Sequence, residues 1–239
     1  MSARLRVHQP PPVPPDGRLA AESRHHLERV LRLRPGAEFF LVDGHGGEHR
    51  CRLGADGTYK LIELIRPQRE PRFRLWLAAA VVKGDGFEWV LEKAGELGVA
   101  GVVPLLCARC VAGVPGDEKA TRWRRLLATA MLQSDGCRLP QLAAATPLAA
   151  LLAAPPAGLP LVALHERAAG AGEAVWRELA AGPGACLLSG PEGGFCDEEA
   201  AALTAAGVRL LGLGPRLFKA ETAPIVAAAV LLHRAGDLG

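Results

Sequence analysis

No stretch of this 239-residue chain is long and apolar enough to cross a bilayer, which takes about 18 residues or more. Val226 to Leu232 comes nearest and stops at His233-Arg234. Met1 to Pro15 lacks the apolar centre of a secretion signal and carries Arg4, Arg6, His8 and five prolines instead. These two absences make a cytoplasmic location the expectation and argue against a membrane partner. A second CxxC pair is missing too. Of six cysteines only Cys107 and Cys110 are close in sequence, and no histidine lies at zinc-finger spacing. No metal is expected, and free thiols in a reducing compartment are the simpler reading. Charge of one sign is not in large excess: the net charge is +3.

What is present is a core-forming composition, 49% hydrophobic and 22% charged. It excludes a disordered chain and suits one large domain or two unequal ones. The positive excess lies in the first third. Residues 1–72 hold 13 Lys/Arg against 9 Asp/Glu, a balance of +4, and the remainder holds 15 against 16, a balance of −1. A solvated surface and a nucleic-acid face both account for that asymmetry.

Two regimes follow one another along the chain. From Leu19 to Arg72 a short helix precedes short strands. Phe39 to Asp43 and Glu48 to Leu53 flank the turn Gly44-His45-Gly46-Gly47, which is good hairpin chemistry, and Lys60 to Ile65 adds a third strand. Short strands without long helices predict a small barrel over residues 1–72. From Phe73 onward strands and helices alternate, which predicts a mostly parallel α/β sheet with helices on both faces over residues 73–239. The strands are Arg74 to Val82, Val99 to Leu105, Leu159 to Leu164, Ala185 to Ser189 and Val208 to Leu213. Helices are predicted over 85–97, 118–133, 171–181, 197–206 and 221–234. In the first of these Phe87, Val90, Leu91, Ala94 and Leu97 share a face, Asp85 and Glu88 have capping-box spacing, and Gly98 supplies the stop. Ala143 to Gly158 reads as a short helix and loop within the same domain.

Two glycine-bearing turns stand out, Gly190-Pro191-Glu192-Gly193-Gly194 and Gly212-Leu213-Gly214-Pro215-Arg216. Each follows a short apolar strand and precedes a helix. Glycine lets a chain turn sharply and lets a ligand approach the main chain. Two such turns at the ends of neighbouring strands predict a cofactor held largely by backbone groups. The first has neither the spacing nor the Gly-Lys-Ser/Thr ending of a phosphate-binding loop. The second begins as a dinucleotide fingerprint does, but Leu217 holds the third glycine position and only Asp237, at the tail, stands where the acidic residue belongs. A nicotinamide enzyme is therefore disfavoured.

Gly190-Pro191-Glu192-Gly193-Gly194-Phe195 together with Leu213-Gly214-Pro215-Arg216-Leu217-Phe218-Lys219-Ala220-Glu221-Thr222-Ala223 resembles the knotted SPOUT methyltransferases. Within them it is similar to the RsmE family, whose pattern is GPEGG followed by LG-x-RILR-x-ETA. Lys83-Gly84-Asp85, Glu88, Lys93 and Glu96-Leu97-Gly98-Val99 continue the likeness, as do Pro104, Arg109, Lys119, Arg122-Trp123 and Gln133-Ser134. Arg24-His25-His26 and Val30-Leu31-Arg32 match the family's first domain. The chain departs at Leu132 and Gly136, where the family has Glu and Arg, and at Lys219-Ala220, where Arg-Thr is common. Lysine keeps the charge but not the forked geometry.

The resemblance implies a deep trefoil knot in residues 73–239 and a PUA-like β-barrel that binds RNA in residues 1–72. It implies S-adenosylmethionine as cofactor, methylation of N3 of a uridine in small-subunit ribosomal RNA, and a homodimer joined through the knotted domain. By carry-over the cofactor lies against Leu164, His165 and Glu166, against Gly190, Pro191, Glu192, Gly193 and Gly194, and against Leu211, Gly212, Leu213, Gly214, Arg216 and Leu217. Thr222 and Ala223, at a helix start, complete that set. Arg24, His25, Arg32, Arg109, Arg122 and Arg138 are the expected RNA contacts. Uridine N3 is protonated at neutral pH, so catalysis must favour its anion. Arg216 first and Lys219 second are the candidate cations, with Glu192 or Glu221 to accept the proton. Plainer roles stay open at this stage. Arg216 could pair with Glu192 or Glu221 and only brace the loops, and Glu221 could be an acidic first-turn residue. His25 and His26 could face solvent, and Trp123 could be core. A non-catalytic RNA-binding or ribosome-assembly module on the same scaffold is the rival reading.

Overall fold

The computed structural model describes residues 5–110, 113, 115–165, 168 and 172–239. The chain divides into two compact units, residues 1–70 with 131–139, and residues 71–130 with 140–239. The first holds β1 (Arg6–His8), β2 (Asp16–Arg18), α1 (Ala21–His25, continued by a wider turn over His26–Val30), β3 (Glu38–Val42), β4 (Glu48–Leu53) and β5 (Thr58–Ile65). The strands form one five-stranded sheet in the order β1-β3-β4-β5-β2. β1 runs parallel to β3 and the other pairings are antiparallel, with a register shift opposite Arg50/Cys51, where β5 carries the extra residue Ile62. Period-two alternation puts Phe39, Leu41, Cys51 and Leu53 on one face, where they pack with Val7, Leu27 and Tyr59. The predicted hairpin is present. Asp43 caps its turn, its Oδ1 accepting from the His45 N–H at 2.7 Å and the Gly47 N–H at 2.9 Å. Burial alone would raise the Asp43 pKa; these two bonds and one from His49 outweigh it and hold the carboxyl below 3.8.

Residues 131–139 join this unit through buried polar contacts. Arg6 donates from Nε to Glu48 Oε1 at 2.9 Å, from Nη1 to the Leu132 carbonyl at 2.9 Å and from Nη2 to the Gly136 carbonyl at 2.8 Å. The second Glu48 oxygen accepts from Arg69 Nη2 at 2.9 Å. Glu70 accepts the backbone N–H groups of Cys137 and Arg138. Removing two charges from water costs several kcal/mol per ion, so such a pair needs its remaining donors satisfied. Here the two carbonyls do so.

The second unit holds β6 (Arg74–Ala80), α2 (Gly86–Glu96), β7 (Gly101–Leu106), most of α3 (Asp117–Gln133), β8 (Gln141–Leu142), β9 (Thr146–Pro147) and α4 (Leu148–Ala153). β10 (Leu161–Leu164), α5 (Gly172–Ala180), β11 (Gly184–Ser189), α6 (Asp197–Ala205), β12 (Arg209–Leu211) and α7 (Thr222–Arg234) follow. All strand pairings are parallel, in the order β12-β10-β11-β6-β7-β8, with β9 also on β7. Trp76, Ala78, Val103, Leu105, Cys186 and Leu188 face Leu148 and Leu151 of α4 and Leu203 of α6. α2, α5 and α7 cover the opposite face. Among the described residues no helix is long and apolar enough to cross a membrane.

Two local expectations need correction. Asp85 makes no side-chain cap on α2, and Glu88 instead accepts from Arg122 Nη2 at 2.6 Å on α3. A charged partner on another helix outcompetes the neutral N–H that a capping box would satisfy. The strands feeding the two glycine turns, β11 and β12, are not neighbours, since β10 lies between them. Alternation of strands and helices fixes direction but not lateral order. Trp123 is core: it is 1% exposed and lies with its ring centroid 4.5 Å from that of Phe87. Gly98, at φ +68°, ends α2 as expected.

Candidate cofactor and active site

A cavity of about 350 Å³ opens where β10, β11 and β12 end. In a parallel α/β sheet the loops that leave the carboxyl ends of the strands are where ligands bind, and this volume falls within the range of small-molecule sites. β10 contributes Leu164 and His165, β11 delivers Ser189 and Gly190, and β12 delivers Leu211 and Leu213. The His165 N–H donates to the Leu211 carbonyl at 2.8 Å, so the first and third of these loops leave the sheet together.

Each glycine turn has a stated cause. Pro191 to Gly194 closes on itself, the Gly194 N–H donating to the Pro191 carbonyl at 2.9 Å. Gly194 at φ +67° and Gly214 at φ +97° occupy the left-handed region, where a Cβ meets the backbone. At these two positions each turn offers bare main chain to the cavity, beside the neighbouring residues Glu192 and Arg216 on the same lining.

Thirteen of the expected cofactor residues line it: Leu164, His165, Gly190, Pro191, Glu192, Gly193, Gly194, Leu211, Leu213, Gly214, Arg216, Leu217 and Ala223. Gly212 and Thr222 do not. At Gly212 a Cβ would stand 2.6 Å from the Ala168 carbonyl oxygen, so that glycine admits the neighbouring backbone. Glu166 lies outside the described residues. Of the catalytic candidates Arg216 and Glu192 are on the lining; Lys219 and Glu221 lie off it, with Lys219 Nζ 3.9 Å from Glu221 Oε1. Among the described residues Arg216 has no carboxylate within ion-pair distance.

The expected RNA contacts fall in both units. Arg24 is held by Glu28 at 3.0 Å, while His25 and Arg32 are exposed. Arg138 is exposed next to the Gly44–Gly47 turn, bridging to His45 through the backbone. Arg122 is tied to Glu88. Arg109 sits on the cavity lining, its Nη1 donating to the Gly193 carbonyl at 2.6 Å. Its loop is anchored too, since Glu199 accepts the Ala108 N–H at 2.7 Å and the Cys196 N–H at 3.0 Å. Sequence reasoning missed Ser189, Phe195, Asp197, Ala200, Phe218 and Ala220 on the lining. Phe195 and Phe218 directly extend the two glycine motifs and were the available signal. Among the described residues no group of three or more His, Cys, Asp or Glu side chains could hold a metal ion.

The chain matches the family model of an RNA methyltransferase domain over residues 68–232 and that of an RNA methyltransferase PUA domain over residues 19–64. It belongs to the RNA methyltransferase family. Among its relatives is a protein of Synechocystis sp. named ribosomal RNA small subunit methyltransferase E, 35% identical, with 88% of this chain and 71% of the relative aligned. A Bacillus subtilis protein of the same name is 28% identical over 90% of this chain and 89% of its own length. A Legionella pneumophila protein described as a methyltransferase, solved with bound SAM, shares 29% identity at a TM-score of 0.86 and covers 95% of this chain and 96% of its own. A Neisseria gonorrhoeae ribosomal RNA small subunit methyltransferase E, also solved with S-adenosyl methionine, has a TM-score of 0.87 at 24% identity over 95% and 96% of the two chains, a likeness of fold. The resemblance to the RsmE family and the α/β fold with a PUA-like first sheet are thus borne out.

Proposed function

We propose that this chain transfers a methyl group from S-adenosylmethionine to N3 of a uridine in small-subunit ribosomal RNA. The observation that carries the reading is the cavity built by both glycine turns and the end of β10 in a chain of this family. Its lining fits the cofactor chemically. Main-chain groups at Gly190–Gly194 and Leu211–Gly214 suit an adenine edge, and Glu192 and Asp197 suit a sulfonium and an ammonium. Arg109 suits a carboxylate. When bound, S-adenosylmethionine supplies an electrophilic methyl group.

The chain's own residues do the rest. Negative charge that develops on uridine spreads from N3 to O2 and O4, and Arg216 on the lining stabilises it; a preorganised cation is worth more there than in water. Lys219, 81% exposed, is the second cation, and its distance from the lining makes it the weaker candidate. Glu192, exposed on the lining, is better placed than Glu221 to accept the N3 proton. Holding nucleophile and donor in line supplies much of the remaining acceleration.

The same reading includes a trefoil-knotted path for the last loops of residues 73–239, an RNA-gripping role for residues 1–72, a homodimer and a cytoplasmic location. Arg24, His25, Arg32, Arg122 and Arg138 grip phosphates, so RNA affinity falls steeply with salt. Nucleoside mass spectrometry of ribosomal RNA from cells with and without the gene tests the assignment. Loss of 3-methyluridine on deletion is expected; its persistence ends the proposal. Calorimetry with S-adenosylmethionine separates the enzyme from a non-catalytic RNA-binding module, which would give no heat of binding.

A further inference from the structure

The segment after Gly214 carries the most exposed large apolar side chain among the described residues. Leu217 is 80% exposed and its neighbour Phe218 40% exposed, although both line the cavity. Single exposed apolar residues on a surface need no explanation, but an adjacent pair on the rim of a site does. Cations stand on both sides, Arg216 before the pair and Lys219 after it. All four residues are exposed, and among the described residues no carboxylate lies closer to either cation than the 3.9 Å between Lys219 and Glu221. An apolar plane between two solvated cations is complementary to one kind of polymer, a single nucleic-acid strand with a base flanked by two phosphates. A greasy peptide would leave both cations without counter-charge.

The sequence sharpens this. The family pattern RILR, laid on Arg216-Leu217-Phe218-Lys219, puts leucine at 218 and arginine at 219. A guanidinium is both a cation and a flat stacking surface, whereas an ammonium is only a point charge. This chain has lysine at 219 and gains an aromatic ring one residue earlier. The charge stays while the flat group moves by one position.

We propose that Phe218 is the stacking platform for an unpaired base of the RNA strand at the mouth of the cavity, taking over the flat surface that Lys219 does not provide. The inference rests on the methyltransferase reading above and adds to it a specificity residue outside the methyl-transfer chemistry. A base offered for reaction at a ring nitrogen has to leave its stack, and an aromatic side chain offsets part of that cost. Stacking accepts any base, so Phe218 sets how firmly the strand is held, and the cavity sets which atom reacts.

The test is a reciprocal swap in the full-length protein, with ribosomal RNA or the small subunit as substrate and labelled S-adenosylmethionine as donor. Phe218→Leu is expected to raise KM for RNA by about tenfold, as loss of one stacked base does. The same variant should leave kcat, S-adenosylmethionine affinity by calorimetry and sedimentation unchanged. Phe218→Trp should keep the wild-type KM, and Phe218→Leu combined with Lys219→Arg should recover most of the loss. An unchanged KM in Phe218→Leu overturns the proposal. So does weaker cofactor binding, which makes the ring part of the cofactor wall, or a shift in sedimentation, which makes the face a contact between copies. If the wild-type protein methylates no uridine at all, the function proposed above falls and the Phe218 proposal falls with it.

Discussion

The two units are built on opposite principles. In the second, the parallel sheet is sealed by Ala, Val, Leu and Cys side chains, and polar groups gather in the cavity where the strands end. In the first, a charged pair is inside: Glu48 has no exposed surface and Arg6 is 7% exposed, and Arg6 holds residues 131–139 by donating to two backbone carbonyls. Apolar packing tolerates exchange of one hydrophobic residue for another of similar volume. A buried ion pair does not, because either partner alone is an uncompensated charge. The first unit is therefore the brittle one and the second the one with room to vary around its loops.

Glu48→Ala is the hardest blow to that contrast. It leaves Arg6 and Arg69 facing an empty position and should cost about 3–5 kcal/mol in the first unit, read by denaturant unfolding. The second unit's affinity for S-adenosylmethionine should survive at denaturant concentrations that unfold the first. Unfolding of both together would erase the distinction. Arg216→Ala strikes the second unit without touching its core: kcat should fall by about 100- to 1,000-fold, with cofactor affinity essentially unchanged. Equal loss in both quantities would make Arg216 a brace. Gly194→Ala should be milder, about 1–2 kcal/mol, because the residue is held at φ +67°. That strain falls on the turn itself, so weaker cofactor binding is expected with little change in unfolding of the first unit.

Acid separates the units by the smallest effect. Burial lowers the His8 pKa below 6.5, with Asp43 opposing and His45 adding to the shift. Above pH 6.5 this imidazole is neutral in both states and has no effect. Below it the unfolded chain takes up the proton first, so the first unit loses stability as pH falls towards the folded value. Asp43 acts in the same sense further down. Its folded pKa lies below 3.8, so its contribution is intact above 3.8 and disappears as pH falls through the folded value. Thermal unfolding across pH 7 to 3 should show the first transition moving down, and His8→Gln should flatten the upper part of that slope.

Much of this was legible in the residues because the second unit follows local rules. The strand over 184–189, α6 and α7 lie within a residue or two of their expected bounds, and both glycine turns line one cavity. What stayed hidden depends on distant partners. β1 and β2 are three residues long in a proline-rich stretch, too short for alternation to register. Residues 131–139 read only as the end of a helix, because the groups that capture them, Arg6, Arg69 and Glu70, lie more than sixty positions away. Arg109 reads in the sequence only as a cation; its bond to the Gly193 carbonyl, from a residue far along the chain, is not legible there.

In the proposed mechanism the glycine turns hold a methyl donor beside Arg216 for attack by a pyrimidine nitrogen. Incubating the purified protein with small-subunit ribosomal RNA and methyl-labelled S-adenosylmethionine, then digesting to nucleosides, tests it most directly. Label is expected in 3-methyluridine, with a drop of about 100-fold or more in its rate of formation for Arg216→Ala. Label on a ribose oxygen or a ring carbon, or none from protein that binds the cofactor, would contradict it.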